Sequence, residues 1–129
     1  STDREKEGIP EKAHAFKAAL QASDGIIISF AEHNGAYTTA FKNIFDWISR
    51  LEKIVWCNKP LFLLATCAGV RGAQTVLELA HARLSRENPN IPCFSLPSYN
   101  ENFTEKEGIT DEKLLKEFKT ALADFTTQL

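Results

Sequence analysis

The sequence predicts an open parallel α/β domain. Two observations carry that expectation: strands whose hydrophobicity is continuous rather than alternating, and their regular separation by helical segments with one apolar face. Ile26-Ile27-Ile28-Ser29-Phe30 is an almost unbroken β-branched and aromatic run, and Leu61-Phe62-Leu63-Leu64-Ala65-Thr66 repeats the pattern after Pro60. Such runs belong to strands covered on both faces. A weaker third run, Ile91 to Leu96, contains Pro92, which places it at a sheet edge.

Helices fill the intervals. Pro10 sits well as the first helical residue of a segment ending at Ser23-Asp24-Gly25, with Ala13, Phe16, Ala19 and Leu20 on one face. Residues 39–51 carry Phe41, Ile44, Phe45, Ile48 and Leu51, and residues 73–84 carry Ala73, Val76, Leu77, Ala80 and Leu84. The last helix opens at Thr110 as N-cap, with Asp111 and Glu112 suited to its positive end. It turns Leu114, Leu115, Phe118, Ala121, Leu122 and Phe125 inward. Residues 1–9 are charged, lack periodicity and read as a loop. The order α-β-α-β-α-β-α implies right-handed crossovers and a parallel sheet of three strands with four helices.

At 129 residues the chain is a single domain at most. With 43% hydrophobic and 25% charged residues it has an ordinary globular composition. A net charge of -2 with scattered basic residues gives no footprint for nucleic acid. No apolar run approaches the roughly 20 residues that span a bilayer, and no signal peptide opens the chain. Cys57, Cys67 and Cys93 are odd in number, lack metal-ligand spacing and read as reduced thiols of a cytoplasmic protein. The chain has no Met, so Ser1 is not a translation start. A parallel sheet begins with a strand, and the helix before Ile26 is most naturally a crossover from a strand absent here. Without that strand, the Ile26–Phe30 edge would be hydrophobic and unpaired. The sequence is therefore expected to be a fragment incomplete at its N-terminus.

Ligands of open α/β sheets bind at the carboxyl ends of the strands. Two loops fall there, Ala31-Glu32-His33-Asn34-Gly35-Ala36-Tyr37 and Cys67-Ala68-Gly69-Val70-Arg71-Gly72, and they should be neighbours in space. Each carries Gly where a backbone turns sharply or approaches a ligand, and each enters a helix N-terminus. The plainer alternative makes Asn34-Gly35 a turn and Gly69 and Gly72 helix-entry residues; spacing alone leaves both open. The second loop lacks the Gly-Lys-Ser/Thr ending of a nucleotide P-loop. His14 and His81 read as surface residues on helices, while His33 lies in the candidate loop. Cys67 is a small strand-end residue in preference to a nucleophile. No catalytic Ser/His/Asp set, carboxylate pair or metal site is visible. The helix at 39–51, with Ala40 and Trp47 added, has an apolar arc of roughly 160° at about 100° per residue. Packing on one side of a sheet needs about 100°. Either the helix is deeply buried within one subunit, or Trp47 and its neighbours meet another subunit, the reading we favour.

Several of these stretches together resemble the NADPH-dependent FMN reductase family. They are Ser23-Asp24-Gly25-Ile26-Ile27-Ile28, then Ala31-Glu32-His33-Asn34-Gly35, then Phe41-Lys42-Asn43-Ile44-Phe45-Asp46-Trp47. Trp56-x-x-Lys59-Pro60 and Thr66-x-x-Gly69-x-Arg71-Gly72 extend the match, as do Phe94-Ser95-Leu96-Pro97 and the segment 100–103. The resemblance spans about residues 9–126 and implies a flavodoxin-like sheet with helices on both faces, as a single domain over 1–129. It implies FMN held by Ala31, Glu32, His33, Asn34 and Gly35 on one side and by Thr66, Cys67, Ala68 and Gly69 on another. It further implies NAD(P)H as hydride donor and a quinone, azo compound, flavin or metal oxyanion as small-molecule acceptor. A homodimer or homotetramer through helix 39–51 also follows. Ala31 stands where the family has Pro, His33 where it has Tyr, and Cys67-Ala68 where Ser-Pro is common. The family's first strand and phosphate-binding loop have no counterpart in this sequence, and in the strand order 2-1-3-4-5 that strand is central. The alternative is a flavodoxin-like binding protein that does not turn over NAD(P)H.

Overall fold

The hydrophobic runs that follow Gly25 and Pro60 do form strands, the first at an edge of the main sheet and the second at its centre. The computed structural model describes residues 8–129. Its main sheet contains β1 (Ile26–Phe30), β4 (Leu61–Thr66) and β5 (Cys93–Leu96) in the order β1-β4-β5, all parallel. Ile26 pairs with Leu61 and Leu63 with Cys93. Strands successive in sequence lie side by side, as in the 3-4-5 half of a flavodoxin-like sheet. Pro92 precedes β5 at the sheet edge, and its carbonyl accepts from Leu63 N at 3.1 Å. β1 forms the other edge, where Ile27 is 54% exposed.

The four expected helices are α1 (Glu11–Ala22), α2 (Thr39–Leu51), α3 (Gln74–Leu84) and α5 (Glu112–Thr126). Ile26, Phe30, Leu61, Leu63 and Ala65 point to one face of the sheet and meet Leu20 of α1, Phe45 and Ile48 of α2, and Val76, Leu77, Ala80 and Leu84 of α3. Phe62, Phe94 and Leu96 point to the other face, where Ala121 and Phe125 of α5 cover them. Alternation along each strand thus divides the core into two layers, with helices on both faces.

Three boundaries and one helix face differ from the sequence reading. Pro10 is the N-cap of α1 with extended ψ, because its fixed φ serves either position. Asp111, not Thr110, caps α5: its carboxylate accepts from Leu114 N at 2.9 Å. Ala73 lies outside α3 as a left-handed N-cap. The apolar face of α1 is Ala13, Lys17 and Leu20, with Phe16 and Ala19 exposed. Lys17 is only 4% exposed, and its Nζ donates to Ile54 O at 2.7 Å and Val55 O at 2.8 Å. The first seven residues of the expected N-terminal loop lie outside the described residues.

Two small elements follow the strand ends: a hairpin of β2 (Glu32–His33) and β3 (Ala36–Tyr37), and a short helix α4 (Tyr99–Asn102) leading into the two-residue strands β6 (Phe103–Thr104) and β7 (Gly108–Ile109).

Candidate functional site

Asn34 and Gly35 both adopt positive φ, 53° and 76°, the geometry of a two-residue hairpin turn that these residue types favour. Glu32 pairs across with Tyr37, and His33 with Ala36. Cross-strand partners share a face, so Glu32 and Tyr37 point one way while His33 and Ala36 point the other. The Tyr37 ring packs on Phe30 and Phe41, with centroids 5.9 and 5.0 Å away. Phe41 in turn stacks parallel to Trp56. Burial raises the Tyr37 phenol above its ordinary value, against the opposing pull of the Arg83 guanidinium. His33, Asn34 and Gly35 are exposed.

The second loop leaves β4 at Thr66, whose hydroxyl donates to Leu96 O at 2.7 Å. Cys67 Sγ lies 3.6 Å from Gly69 O, and Gly72 N donates to the same carbonyl at 3.3 Å. A third segment, after β5, is tied in: Ser98 N donates to Gly69 O at 2.8 Å and Tyr99 N to Cys67 O at 3.0 Å. The two expected loops are indeed neighbours. The Glu32 carboxylate accepts from Val76 N at 2.8 Å, and a Cβ on Gly35 would lie 3.8 Å from Thr75 Cγ2.

All nine candidate residues, Ala31 to Gly35 and Thr66 to Gly69, therefore sit at one end of the sheet. Sequence reasoning missed two features there. The Glu32 side chain turns away from the exposed tip toward α3, and the 98–103 segment joins the site through its backbone. Its signal in the sequence was the family likeness of Phe94-Ser95-Leu96-Pro97 and of residues 100–103, which did not assign it to the site. Among the described residues no cluster of His, Cys, Asp or Glu is arranged to hold a metal ion. The exposed tip at Asn34-Gly35 and the exposed Ala68-Gly69 present main chain with little side-chain cover. A Cβ at Gly69 would meet only Cys67 Sγ, at 3.7 Å. Open main chain of this kind suits a planar ring with polar edges, so the residues present fit a flavin.

Away from this end, a groove of about 570 Å³ runs between β5 and α5, bordered by Cys93, Lys113, Lys116, Glu117 and Asp124. Burial pushes the Cys93 thiol up to about 11 from 9.0. Because the folded state holds this proton more tightly, the associated stabilisation is complete below about pH 9 and is lost as pH rises toward about 11. Alkylation of Cys93 by iodoacetamide, followed by mass spectrometry, is expected to be slow at neutral pH and to accelerate until about pH 11. A plateau near pH 8 to 9, typical of a free thiol at about 8.5, would contradict this.

The model of one family, NADPH-dependent FMN reductase, matches residues 1–92. The chain belongs to the NADPH-dependent FMN reductase family. Among relatives within and around that family, a 2-hydroxy-1,4-benzoquinone reductase of Burkholderia sp. is 36% identical over 75 residues, 57% of this chain and 40% of its own. An NADPH azoreductase of Bacillus sp. is 33% identical over 75 residues, covering 58% and 40%. An NAD(P)H-dependent FMN reductase of Pseudomonas aeruginosa is 27% identical over 109 residues, covering 82% and 59%. The chain thus spans about 40% of the length of the first two relatives. The fold is shared with the flavoenzyme NAD(P)H:(acceptor) oxidoreductase FerB of Paracoccus denitrificans. That structure superposes with a TM-score of 0.72 over 96% of this chain and 71% of its own, at 24% identity. No helix among the described residues is long and apolar enough to cross a membrane.

Proposed function

We propose that this chain forms the flavin-ring half of an NAD(P)H-dependent oxidoreductase that reduces a quinone or similar small acceptor. The observation that carries this reading is the joining of the 31–35 hairpin to the start of α3, beside the 66–69 loop, at the carboxyl end of the sheet. When bound, FMN would supply the hydride-transfer chemistry. The residues of this chain would bind and orient it: main chain of Ala31, Glu32, His33, Asn34 and Gly35 along the polar ring edge, and Thr66, Cys67, Ala68 and Gly69 from another side. No side chain is assigned as acid or base. His33, on the outer hairpin face, would be available to the acceptor.

Trp47 of α2 is half-buried yet lies outside the core cluster that holds Phe45 and Ile48. This supports a homodimer or homotetramer through α2. The three free cysteines suit a cytoplasmic setting.

The test is NAD(P)H oxidation by the protein with a benzoquinone, with and without added FMN. The expected result is turnover that requires FMN and falls at least about tenfold when Gly35 is replaced by Val, which places a branched side chain at positive φ on the hairpin tip. Flavin binding without NAD(P)H oxidation would favour a flavodoxin-like binding protein instead.

A further inference from the structure

We infer that Glu32 is a positioning residue whose carboxylate latches the 31–37 hairpin onto the first turn of α3, fixing the two strand-end loops as one preformed surface for the flavin ring. This rests on the flavin reading above but assigns the Glu32 side chain a role distinct from contact with the cofactor.

The need for a latch comes from both elements. The hairpin has only two residue pairs, Glu32 with Tyr37 and His33 with Ala36, and ladders this short are not stable alone. The helix begins without a side-chain cap of its own, because Ala73 occupies the N-cap position and offers no oxygen. Gln74 N is satisfied by Arg71 O at 3.1 Å, and Leu77 N by Ala73 O at 3.3 Å. Val76 is fully buried, and its N–H takes the Glu32 carboxylate at 2.8 Å, from a residue 44 positions earlier. A carboxylate at this point satisfies an end donor and opposes the positive end of the helix. The same bond holds the hairpin tip beside Thr75, whose Cγ2 lies 3.8 Å from where a Cβ on Gly35 would be. On the same hairpin face, Tyr37 anchors the returning strand in the Phe30–Phe41 aromatic packing. Each strand of the hairpin thus has one inward anchor, and Glu32 is the one that reaches the second loop's helix.

The full chain is compared with Glu32→Ala and Glu32→Gln, reading amide hydrogen exchange without cofactor and FMN affinity by fluorescence quenching. Glu32→Ala is expected to lose protection at Val76 and across residues 32–37, and to bind FMN about tenfold more weakly. Glu32→Gln, which keeps an acceptor oxygen, should restore most of both. Unchanged protection in Glu32→Ala would overturn the latch. So would equal loss of affinity in both variants with protection retained in Glu32→Gln, since that would put the carboxylate charge itself on the cofactor. If the unaltered chain quenches no flavin, the flavin reading fails, and the role toward the ring fails with it. The exchange comparison would then still decide whether the hairpin and helix are latched.

Discussion

Gly72→Ala is expected to lower the unfolding free energy by about 3 kcal/mol, combining left-handed backbone strain with overpacking. The argument is about space more than about φ. Gly72 has φ +61°, but Ala73 beside it has φ 60° and is tolerated with its methyl group buried. What differs is the surroundings. A Cβ on Gly72 would overlap Ser95 Oγ and come within 2.8 Å of Pro97 N and 3.0 Å of the Leu96 carbonyl carbon. Ser95 could rotate away only by giving up its 2.7 Å hydrogen bond to Gly72 O, and the backbone at Leu96-Pro97 cannot rotate away at all. Relief therefore requires β5 and the second loop to separate, which disturbs the Thr66 hydroxyl bond to Leu96 O as well. Thermal unfolding should show a fall in Tm of roughly 10 °C. Gly69→Ala serves as the control: its φ is unremarkable and its nearest neighbour is Cys67 Sγ at 3.7 Å, so a change within about 0.5 kcal/mol is expected. Equal effects from the two substitutions would contradict the close packing described at Gly72.

Lys17→Met should cost a comparable amount, about 2–4 kcal/mol in urea unfolding. Methionine keeps the length and apolar body of the stem, so the loss isolates the ammonium group. That group donates to two successive carbonyls, Ile54 O and Val55 O, with Glu52 Oε2 at 3.6 Å. Val55 is buried, so its carbonyl would be left away from water with only the weak Cys57 Sγ donor at 3.9 Å. The bonds also hold the 52–58 segment, whose Trp56 is 3% exposed and packs against Phe41 and Phe45 of α2. Loosening this turn should therefore be visible as a change in tryptophan fluorescence before global unfolding. Stability within about 0.5 kcal/mol of the unaltered chain would show that the ammonium is not structurally required.

These two residues mark where sequence reasoning stops. Ile26–Phe30 and Leu61–Thr66 were legible as strands because each is a nearly uninterrupted apolar run, and Pro92 correctly put β5 at an edge. Cover on both faces holds for residues 61–65 but not for Ile26–Phe30, where Ile27 and Ser29 are exposed because β1 is an edge strand. Lys17 was not legible as a core residue. Its helical position would suit any apolar side chain, and only the carbonyls of a turn 37 residues away make a lysine fit. Phe16 was assigned inward for the same reason in reverse, its apolar character outweighing its position on the helix. The site loops were legible as loops and as neighbours, since parallel strands place their ends together. The α4-β6-β7 excursion was invisible because two-residue strands carry no periodicity. The turn of the Glu32 side chain toward Val76 depends on how the hairpin twists, which no spacing encodes. His33, in the place of the family's Tyr, lies on the outer hairpin face, a distinction that required the register of Glu32 with Tyr37.

The central claim is that the 31–35 and 66–69 loops together receive a flavin ring. Mapping the backbone amide shifts of the protein during titration with FMN tests it most directly, because even weak binding displaces the resonances of the residues that touch the ring. The expected result is a set of saturable shifts centred on Asn34, Gly35, Ala68 and Gly69. Shifts confined to the groove between β5 and α5, or no saturable shifts at any FMN concentration reached, would contradict it.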